Sequence, residues 1–228
     1  MTPKECPFSP AQQKMALVAF QRMAISPAIG YLSLACAAIQ VARNKPEAAK
    51  KLEPKVKEAW PAVRAALIRY INYLSELWGI ERPWQFLFVN GEEGFKKLLS
   101  YPDPRYGTEH VPQDARPTVC PLTREQQEKV LCEFNQMRIS VDNLMVLPQS
   151  WFDLLILNNE RAKEAKIPDG DEFLLRMQIP IVRFAQELSE VCGIEKPWQH
   201  LQIGDEKKFK SFLERSQPSE DARKGHSE

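Results

Sequence analysis

The sequence predicts an all-α protein that is a tandem duplication of one helical-bundle unit. Glycine is scarce, with 9 residues in 228, whereas the good helix formers Leu, Ala, Lys, Glu and Gln are frequent. Capping boxes of the form Ser/Thr-x-x-Gln begin at Ser9 and Thr123 and mark two helix starts. Thr123 follows Ser9 by 114 residues, and the same spacing recurs along the chain.

The 114-residue repeat holds without a gap from Cys6 to Leu99. Its longest match pairs residues 79–85 with residues 193–199, both reading Gly-Ile-Glu-Arg/Lys-Pro-Trp-Gln. One ungapped spacing across a whole unit is not expected by chance, so we expect the two units to superpose as copies of one fold. Further identical positions, each matched 114 residues later, include Pro7, Gln12, Gln13, Leu17, Phe20, Met23, Ile25, Ser26, Arg69, Leu74, Ser75, Glu76, Phe95 and Lys96.

Each unit is expected to contain three longer helices and two short ones. The first longer helix follows the capping box, and the second begins at Ser26-Pro27 and runs to about Arg43. The counterpart of the second begins after Ser140, and Pro148 should kink or break it.

The third longer helix ends at a glycine in both units, Gly79 and Gly193, because glycine adopts the left-handed C-cap without steric cost. In the first and second unit respectively, the third longer helix starts near Pro54 and Pro168 and contains Pro61 and Pro180. A short helix starts at Pro83 and Pro197, and Gly91 and Gly204 mark the break before the last short helix.

These landmarks divide the chain into four parts. Helical repeat 1 spans residues 1–100, and helical repeat 2 spans residues 120–216. Residues 101–119 form a proline-rich linker, which should be stiff and extended. Residues 217–228 are a polar C-terminal tail that is expected to fray.

The formal net charge of +1 gives no global field that would attract nucleic acid. The two halves nevertheless differ in sign. Residues 1–100 contain 14 basic against 8 acidic side chains, and residues 120–228 contain 15 against 19. We interpret this difference as random variation among solvated surface residues. The alternatives are that the two halves attract each other or that they bind partners of different charge.

The composition also predicts a cytoplasmic protein. Five cysteines, an odd number without a Cys-x-x-Cys pair, are typical of a reducing compartment. The N-terminus lacks the apolar segment of a secretory signal. The most apolar stretch, residues 25–42, contains Ser33 and Gln40, and it is expected to be a buried core helix and not a membrane span.

The repeated Pro-Trp-Gln supplies the candidate binding residues, which are Trp84, Gln85, Trp198, Gln199 and His200. Tryptophan is enriched at binding hot spots, so both indoles could anchor a partner. The structural interpretation, which is favoured, has each indole filling the gap beside the third helix's C-cap. It predicts that both indoles are mostly buried and that truncating either to Ala costs about 3–5 kcal/mol.

No other motif predicts a catalytic residue, a metal ligand or a cofactor. The repeated Cys-Pro could offer a thiolate to haem, but a dipeptide just before a helix cap is better explained by chain direction. The lysines between Lys45 and Lys57 are interleaved with glutamates and indicate a solvated helix face, so no nucleic-acid partner is expected. The repeated acids Glu76/Glu190 and Glu81/Glu195 are interpreted as ion-pair partners of Arg69/Arg183 or Arg82/Lys196.

The sequence therefore favours a non-catalytic intracellular interaction or scaffolding module that binds a protein partner in the groove between the units. A carrier of an apolar small molecule and an enzyme of unrecognised family remain as alternatives. An exposed apolar patch over a solid core would favour the scaffold. A cleft in which the repeated acidic side chains converge would favour the enzyme. A cavity lined by Leu34, Ile39, Leu67 and Ile71 would favour the carrier.

Overall fold

The computed structural model describes residues 7–102, 110–157, 159–164, 170–199, 201 and 205–216. Every regular element in these ranges is helical, which confirms the all-α prediction. The α-helices are α1 Pro10–Ala19, α2 Ser26–Asn44, α3 Pro46–Ala49, α4 Glu53–Trp78, α5 Gly91–Leu99, α6 Arg124–Ile156, α7 Glu160–Glu164, α8 Gly170–Cys192 and α9 Glu206–Ser216. Short 3₁₀ helices lie at Pro83–Phe86, Gln113–Ala115 and Pro197–Gln199.

No new helix starts at Ser26-Pro27, contrary to the sequence prediction. A π-helical segment, Phe20–Ile25, joins α1 to α2 without a break. The Ser26 N–H bonds to the Gln21 carbonyl, five residues back, and the Ser26 hydroxyl donates to the same oxygen at 3.0 Å. The wider turn accommodates Pro27, which lacks an N–H and lies in the first turn of α2.

In the second half the corresponding break is also missing. Helix α6 runs for 33 residues through Ser140, and Pro148 lies in its interior. Each half therefore has two long helical runs, and the expectation of three longer helices per unit is wrong. The fold keeps the helices continuous because the central residues of both runs face one shared core.

Both α4 and α8 end at the predicted glycines in the left-handed conformation, with φ of 69° at Gly79 and 67° at Gly193. The next N–H, of Ile80 or Ile194, reaches back five residues to a serine carbonyl at 2.8 Å in both cases. This is the Schellman arrangement, which satisfies the last carbonyls of a helix. The predicted internal prolines of these helices are also present, whereas Pro168 and Gly204 lie outside the described residues.

Positions 114 residues apart adopt closely similar local geometry. Both capping boxes are formed in full, by Ser9 and by Thr123. The glutamine that follows each box donates its amide to a backbone carbonyl at 2.9 Å, from Gln13 to Phe8 and from Gln127 to Leu122. One turn before the C-caps, Asn72 donates to Glu76 at 2.8 Å and Gln186 to Glu190 at 2.7 Å.

A cluster of four buried aromatic rings lies at the centre of the protein and is called the ring cluster below. It contains Phe20 from the π segment, Tyr70 from α4, Phe134 from α6 and Phe184 from α8. Contacting ring centroids are 5.0 to 6.3 Å apart, in tilted and edge-on contacts. Phe134 follows Phe20 by 114 residues, as Phe184 follows Tyr70, so each half contributes one member of each matched pair to a continuous core.

The helical run Pro10–Asn44 is long and apolar enough to span a membrane by length and composition alone, and half of its most apolar window is buried in the protein. The buried face of α2 packs against α4 and α6, as a core helix does. Its buried residues are Pro27, Ala28, Tyr31, Leu32, Ala35, Ala38, Ile39 and Ala42.

Truncating the ring cluster should destabilise both halves together. We expect Phe20→Ala to lower the free energy of unfolding by about 3–5 kcal/mol, the usual cost of deleting a buried aromatic ring. Urea unfolding followed by tryptophan fluorescence would show one transition at a lower midpoint. Val119→Ala, at a position that is 78% exposed, is the control. Separate transitions for the two halves would contradict the single core.

Candidate functional site

The structure places the predicted binding residues Trp84 and Trp198 in similar niches. Each indole is half-buried and packs against the first aromatic residue of the following helix. The ring centroids are 5.9 Å apart for Trp84 and Phe95, and 5.8 Å apart for Trp198 and Phe209. The side chains of Gln85 and Gln199 are exposed, and His200 lies outside the described residues. Each indole therefore packs on the next helix of its own half, and the segment that carries Trp84, Pro83–Phe86, also contacts α6 of the second half.

The predicted ion pair of Glu76 with Arg69 is wrong. Arg69 is buried and donates to the Tyr101 carbonyl, and within the described residues it makes no ion pair with Glu76. Glu76 instead accepts from Arg116 of the linker at 2.6 Å and from Asn72 at 2.8 Å. In the second half Arg183 lies 3.9 Å from Glu133, so Glu190 has a different neighbour as well.

The lysine cluster between Lys45 and Lys57 lies on a solvated helix face, as the sequence predicts. Lys50 pairs with Glu47 at 2.8 Å and Lys57 pairs with Glu53 at 2.5 Å, both across one helical turn on an exposed face. Glu81 and Glu195, the other repeated acids, are exposed. Within the described residues no group of three or more His, Cys, Asp or Glu side chains could hold a metal ion.

A cleft of about 370 Å³ lies between α4, α5 and α6, and is called the Trp60 cleft. It is the groove between the halves, because α4 and α5 belong to the first half and α6 to the second. Trp60, Pro61 and Leu98 form its apolar wall. The other lining residues are Lys57, Arg64, Tyr101, Gln149 and Asp153. The repeat does not reveal this site, since Trp60 is matched by Leu174.

A polar network crosses from the Trp60 cleft into α6. The Arg64 guanidinium lies 4.7 Å from the centroid of the Trp60 ring, and its Nε donates to Asp142 at 2.9 Å. Asp142 also accepts from Arg138 at 3.3 Å. Arg138 donates in turn to the Phe88 carbonyl at 3.1 Å. Burial lowers the pKa of Arg138, and the Asp142 carboxylate opposes that shift.

Two buried polar atoms of the cleft residues have no hydrogen-bond partner within the described structure. They are the indole Nε1 of Trp60 and the side-chain Oε1 of Gln149. Gln149 is only 8% exposed, and its Nε2 donates to Asp153 at 2.9 Å. A buried group that lacks its hydrogen bond costs about 1–3 kcal/mol, so these two atoms, both sealed from solvent, reduce the stability of the packing between α4 and α6.

An exposed stripe of three leucines and two polar residues, called the α6 seam, runs along the C-terminal half of α6 to its C-cap beside this cleft. It consists of Asn143, Leu147, Ser150, Leu154 and Leu157, spaced 4, 3, 4 and 3 residues apart. The exposed fractions of the three leucines are 43%, 39% and 77%, in chain order. This spacing is the a/d pattern with which a helix receives another helix.

A second cleft, of about 430 Å³, lies between α8 and α9. Six of its lining residues follow six of the Trp60 cleft by 114 positions, but their chemistry differs. The pairs are Lys57 and Asp171, Trp60 and Leu174, Pro61 and Leu175, Arg64 and Gln178, Leu98 and Phe212, and Tyr101 and Arg215.

No family model matches the chain, and no curated protein or solved structure shows significant similarity to it.

The two similar tryptophan niches should respond equally to truncation. We expect Trp84→Ala and Trp198→Ala each to cost about 3 kcal/mol, the low end for large aromatics because both rings are half-buried. Chemical denaturation of the two variants measures this. An unchanged midpoint for either variant would instead make that indole a binding residue.

Removing the central carboxylate of the polar network should cost more than removing a surface one. Asp142→Asn leaves two arginines without their anion, and the expected loss is about 3 kcal/mol because Asp142 and Arg138 are only 13% and 10% exposed. Glu128→Gln, which breaks the exposed pair with Arg124, should cost at most about 1 kcal/mol. Equal unfolding midpoints in the two variants would show that the network adds little.

Proposed function

We propose that this protein is a non-catalytic, cytoplasmic interaction or scaffolding module built from two homologous helical units. It binds a helix of a partner protein across the groove between the halves. The α6 seam carries this proposal, because three leucines at heptad spacing stand exposed beside an open cleft. Recognition of an amphipathic helix by an apolar surface is a common mode of protein binding.

Homology of the two units is supported by the agreement of paired positions. The same 114-residue spacing relates both capping boxes, both left-handed glycine caps and both tryptophan niches. Even the residue before each Pro-Trp-Gln, Arg82 or Lys196, has a positive φ, of 50° and 51°. A positive φ is uncommon for residues other than glycine, so its recurrence supports common descent of the two turns.

The apolar character of the α6 seam is not needed by the repeated fold. The positions 114 residues before its three leucines are Ser33, Gln40 and Arg43, all exposed on α2. The first half thus places polar side chains where the second half places leucines. Monomeric proteins seldom expose contiguous apolar patches, so we assign the leucines to a partner and not to the core.

The two alternative functions have less support. A carrier would have an internal cavity lined by Leu34, Ile39, Leu67 and Ile71, but Leu67 and Ile71 are 1% and 0% exposed. None of these four residues lines either cleft described above. For an enzyme, the repeated acids would converge on one cleft, yet Glu76 and Glu190 are each held by a neighbouring amide of their own helix.

A photo-crosslinking residue placed at Leu157 should capture the partner, whereas the same residue at Val119 should not. These positions are matched in exposure, at 77% and 78%. The measurement is the mass of adducts formed in cells of the source organism. Adducts at twice the mass of this chain would contradict the proposal by showing that α6 seams pair with one another.

The Leu157 adduct should disappear when glutamates replace two seam leucines, in Leu147→Glu/Leu154→Glu, because a partner helix cannot bury the charges. Ser33→Glu/Gln40→Glu, at the paired exposed positions of α2, is the matched control and should leave the adduct unchanged. Loss of the adduct in both variants, or in neither, would place the contact outside the α6 seam.

Added salt should slow association with the partner if the opposite charges of the halves guide docking, because screening shortens electrostatic reach to roughly 8 Å at physiological ionic strength.

Glu81→Gln/Glu195→Gln tests the enzyme alternative. Both carboxylates are exposed, so the double variant should keep its fold and its partner. A purified protein that turns over a metabolite, with a loss of about two to four orders of magnitude in the variant, would overturn the scaffold.

A further inference from the structure

We propose that the face of α6 and α8 around Gln126 and Glu190 is a docking surface for residues 217–224, in the C-terminal tail of the same chain. This docking rests on the proposed homology of the two units and does not depend on the α6 seam. The first half provides the precedent, because part of the linker covers its matched face. Residues 217–228 themselves lie outside the described residues.

In the first half, two contacts hold the linker against α1 and α4. The side-chain amide of Gln12 donates to the Ala115 carbonyl at 3.0 Å. One residue further along, the Arg116 guanidinium donates to Oε2 of Glu76 at 2.6 Å. Val111, five residues before the arginine, is buried in the core. One unit of this fold can therefore bind a short segment that passes across its helices.

The carboxylate that would receive such a segment is present in the second half. Glu190 follows Glu76 by 114 positions, and its Oε1 accepts from Gln186 at 2.7 Å. Its Oε2, the counterpart of the oxygen that binds the linker, accepts no hydrogen bond from the described residues. The neighbouring cation, Lys129, is paired with Glu187 at 2.9 Å. Glu190 is exposed, so a guanidinium can reach it.

The matched amide also retains a donor. Gln126 completes its capping box through Oε1, as Gln12 does. Its Nε2 donates to the Val191 carbonyl at 3.4 Å, which is long for a hydrogen bond. A side-chain amide carries two hydrogens, so one of them has no acceptor in the part of the chain that the structure describes. That hydrogen can bind a backbone carbonyl of the tail.

The matched face of the second half is more open than that of the first. Arg69, beside the linker, is buried, whereas its match Arg183 is exposed. In the first half Arg69 lines a cavity of about 190 Å³, which His110 of the linker also lines. In the second half Arg183 and Met137 line a cleft of about 330 Å³ between α6 and α8. The second half therefore has room for a segment where the linker lies in the first.

The tail repeats the residues with which the linker binds. Residues 221–223 read Asp-Ala-Arg, as residues 114–116 do. The match is three residues long, but two of the three supply the carbonyl and the guanidinium that the first half holds. In this register the alanine carbonyl accepts from Gln126 and the arginine pairs with Glu190.

The tail is long enough to reach this face. Leu99, the last residue of α5, lines the same small cavity as Glu76, so α5 ends close to that carboxylate. In the second half α9 ends at Ser216, and the seven residues from there to Arg223 extend by up to about 25 Å. A short covalent tether gives the segment an effective concentration on the order of millimolar, so a few weak contacts are enough to hold it.

A photo-crosslinking residue at Gln136 tests the docking in the full chain, because Gln136 is exposed and lines the cleft between α6 and α8. The purified protein is irradiated and digested, and mass spectrometry locates the crosslinked peptides. Position 136 should be joined mainly to residues 217–224. Crosslinks that never include the tail would overturn the proposal.

Mixing chains labelled with ¹⁴N and with ¹⁵N before irradiation identifies the source of the tail. Each crosslinked product should contain one isotope only, because the segment and its docking surface belong to the same molecule. Products that combine the two isotopes would overturn the proposal by assigning the tail to a second copy.

Charge reversal locates the contact. Arg223→Glu should lower the crosslink yield at least about fivefold, because it brings a second carboxylate to Glu190. Lys224→Glu, the same change of charge one residue later, is the matched control and should leave the yield nearly unchanged. Arg223→Glu/Glu190→Arg restores an opposite pair and should recover most of the yield. An equal loss in the two single variants, or no recovery in the double variant, would contradict the linker-like register.

The crosslinks at positions 136 and 157 separate this proposal from the proposed function. If the tail does not crosslink to position 136 while Leu157 still captures a partner, the docking of the tail is wrong and the α6 seam keeps its role. If Leu157 captures nothing while the tail crosslinks as described, the docking stands without the partner.

Discussion

The packing of four aromatic rings holds the two halves of this protein together, and the placement of the other elements depends on it. Phe20 and Tyr70 come from the first half, Phe134 and Phe184 from the second, and every ring contacts rings of both halves. Tilted and edge-on contacts are directional, so the cluster fixes how the helices cross as well as how closely they approach.

Local signals in the sequence predicted where helices begin and end more reliably than where one helical segment continues into the next. The capping boxes at Ser9 and Thr123 and the glycine caps at Gly79 and Gly193 depend on hydrogen bonds within a few residues, so the sequence identifies them directly. The breaks expected at Ser26 and Ser140 did not occur. Proline predicts an interruption on local grounds, but burial of both flanking segments in one core favours a continuous helix with a π turn or an internal proline.

The candidate site was less predictable, for a physical reason. A search for what the repeats share finds residues that the fold requires, such as Trp84 and Trp198, each of which packs on the helix that follows it. The Trp60 cleft depends on what the halves do not share and on side chains far apart in sequence, such as Arg64 and Asp142. The 4-3-4-3 spacing of the α6 seam, with leucine at positions 147, 154 and 157, is readable from the sequence, but only the structure shows that those positions face outward.

The ring cluster also has a consequence for synthesis of the chain on the ribosome. Phe20 and Tyr70 emerge long before Phe184, and until then the ring that both of them contact in the second half is missing. The first half must therefore pass through a period in which its central rings are uncovered, when contact with other nascent chains competes with folding. Rapid, local formation of α4 and its glycine cap limits the exposed surface during that interval, while completion of the core waits for α8.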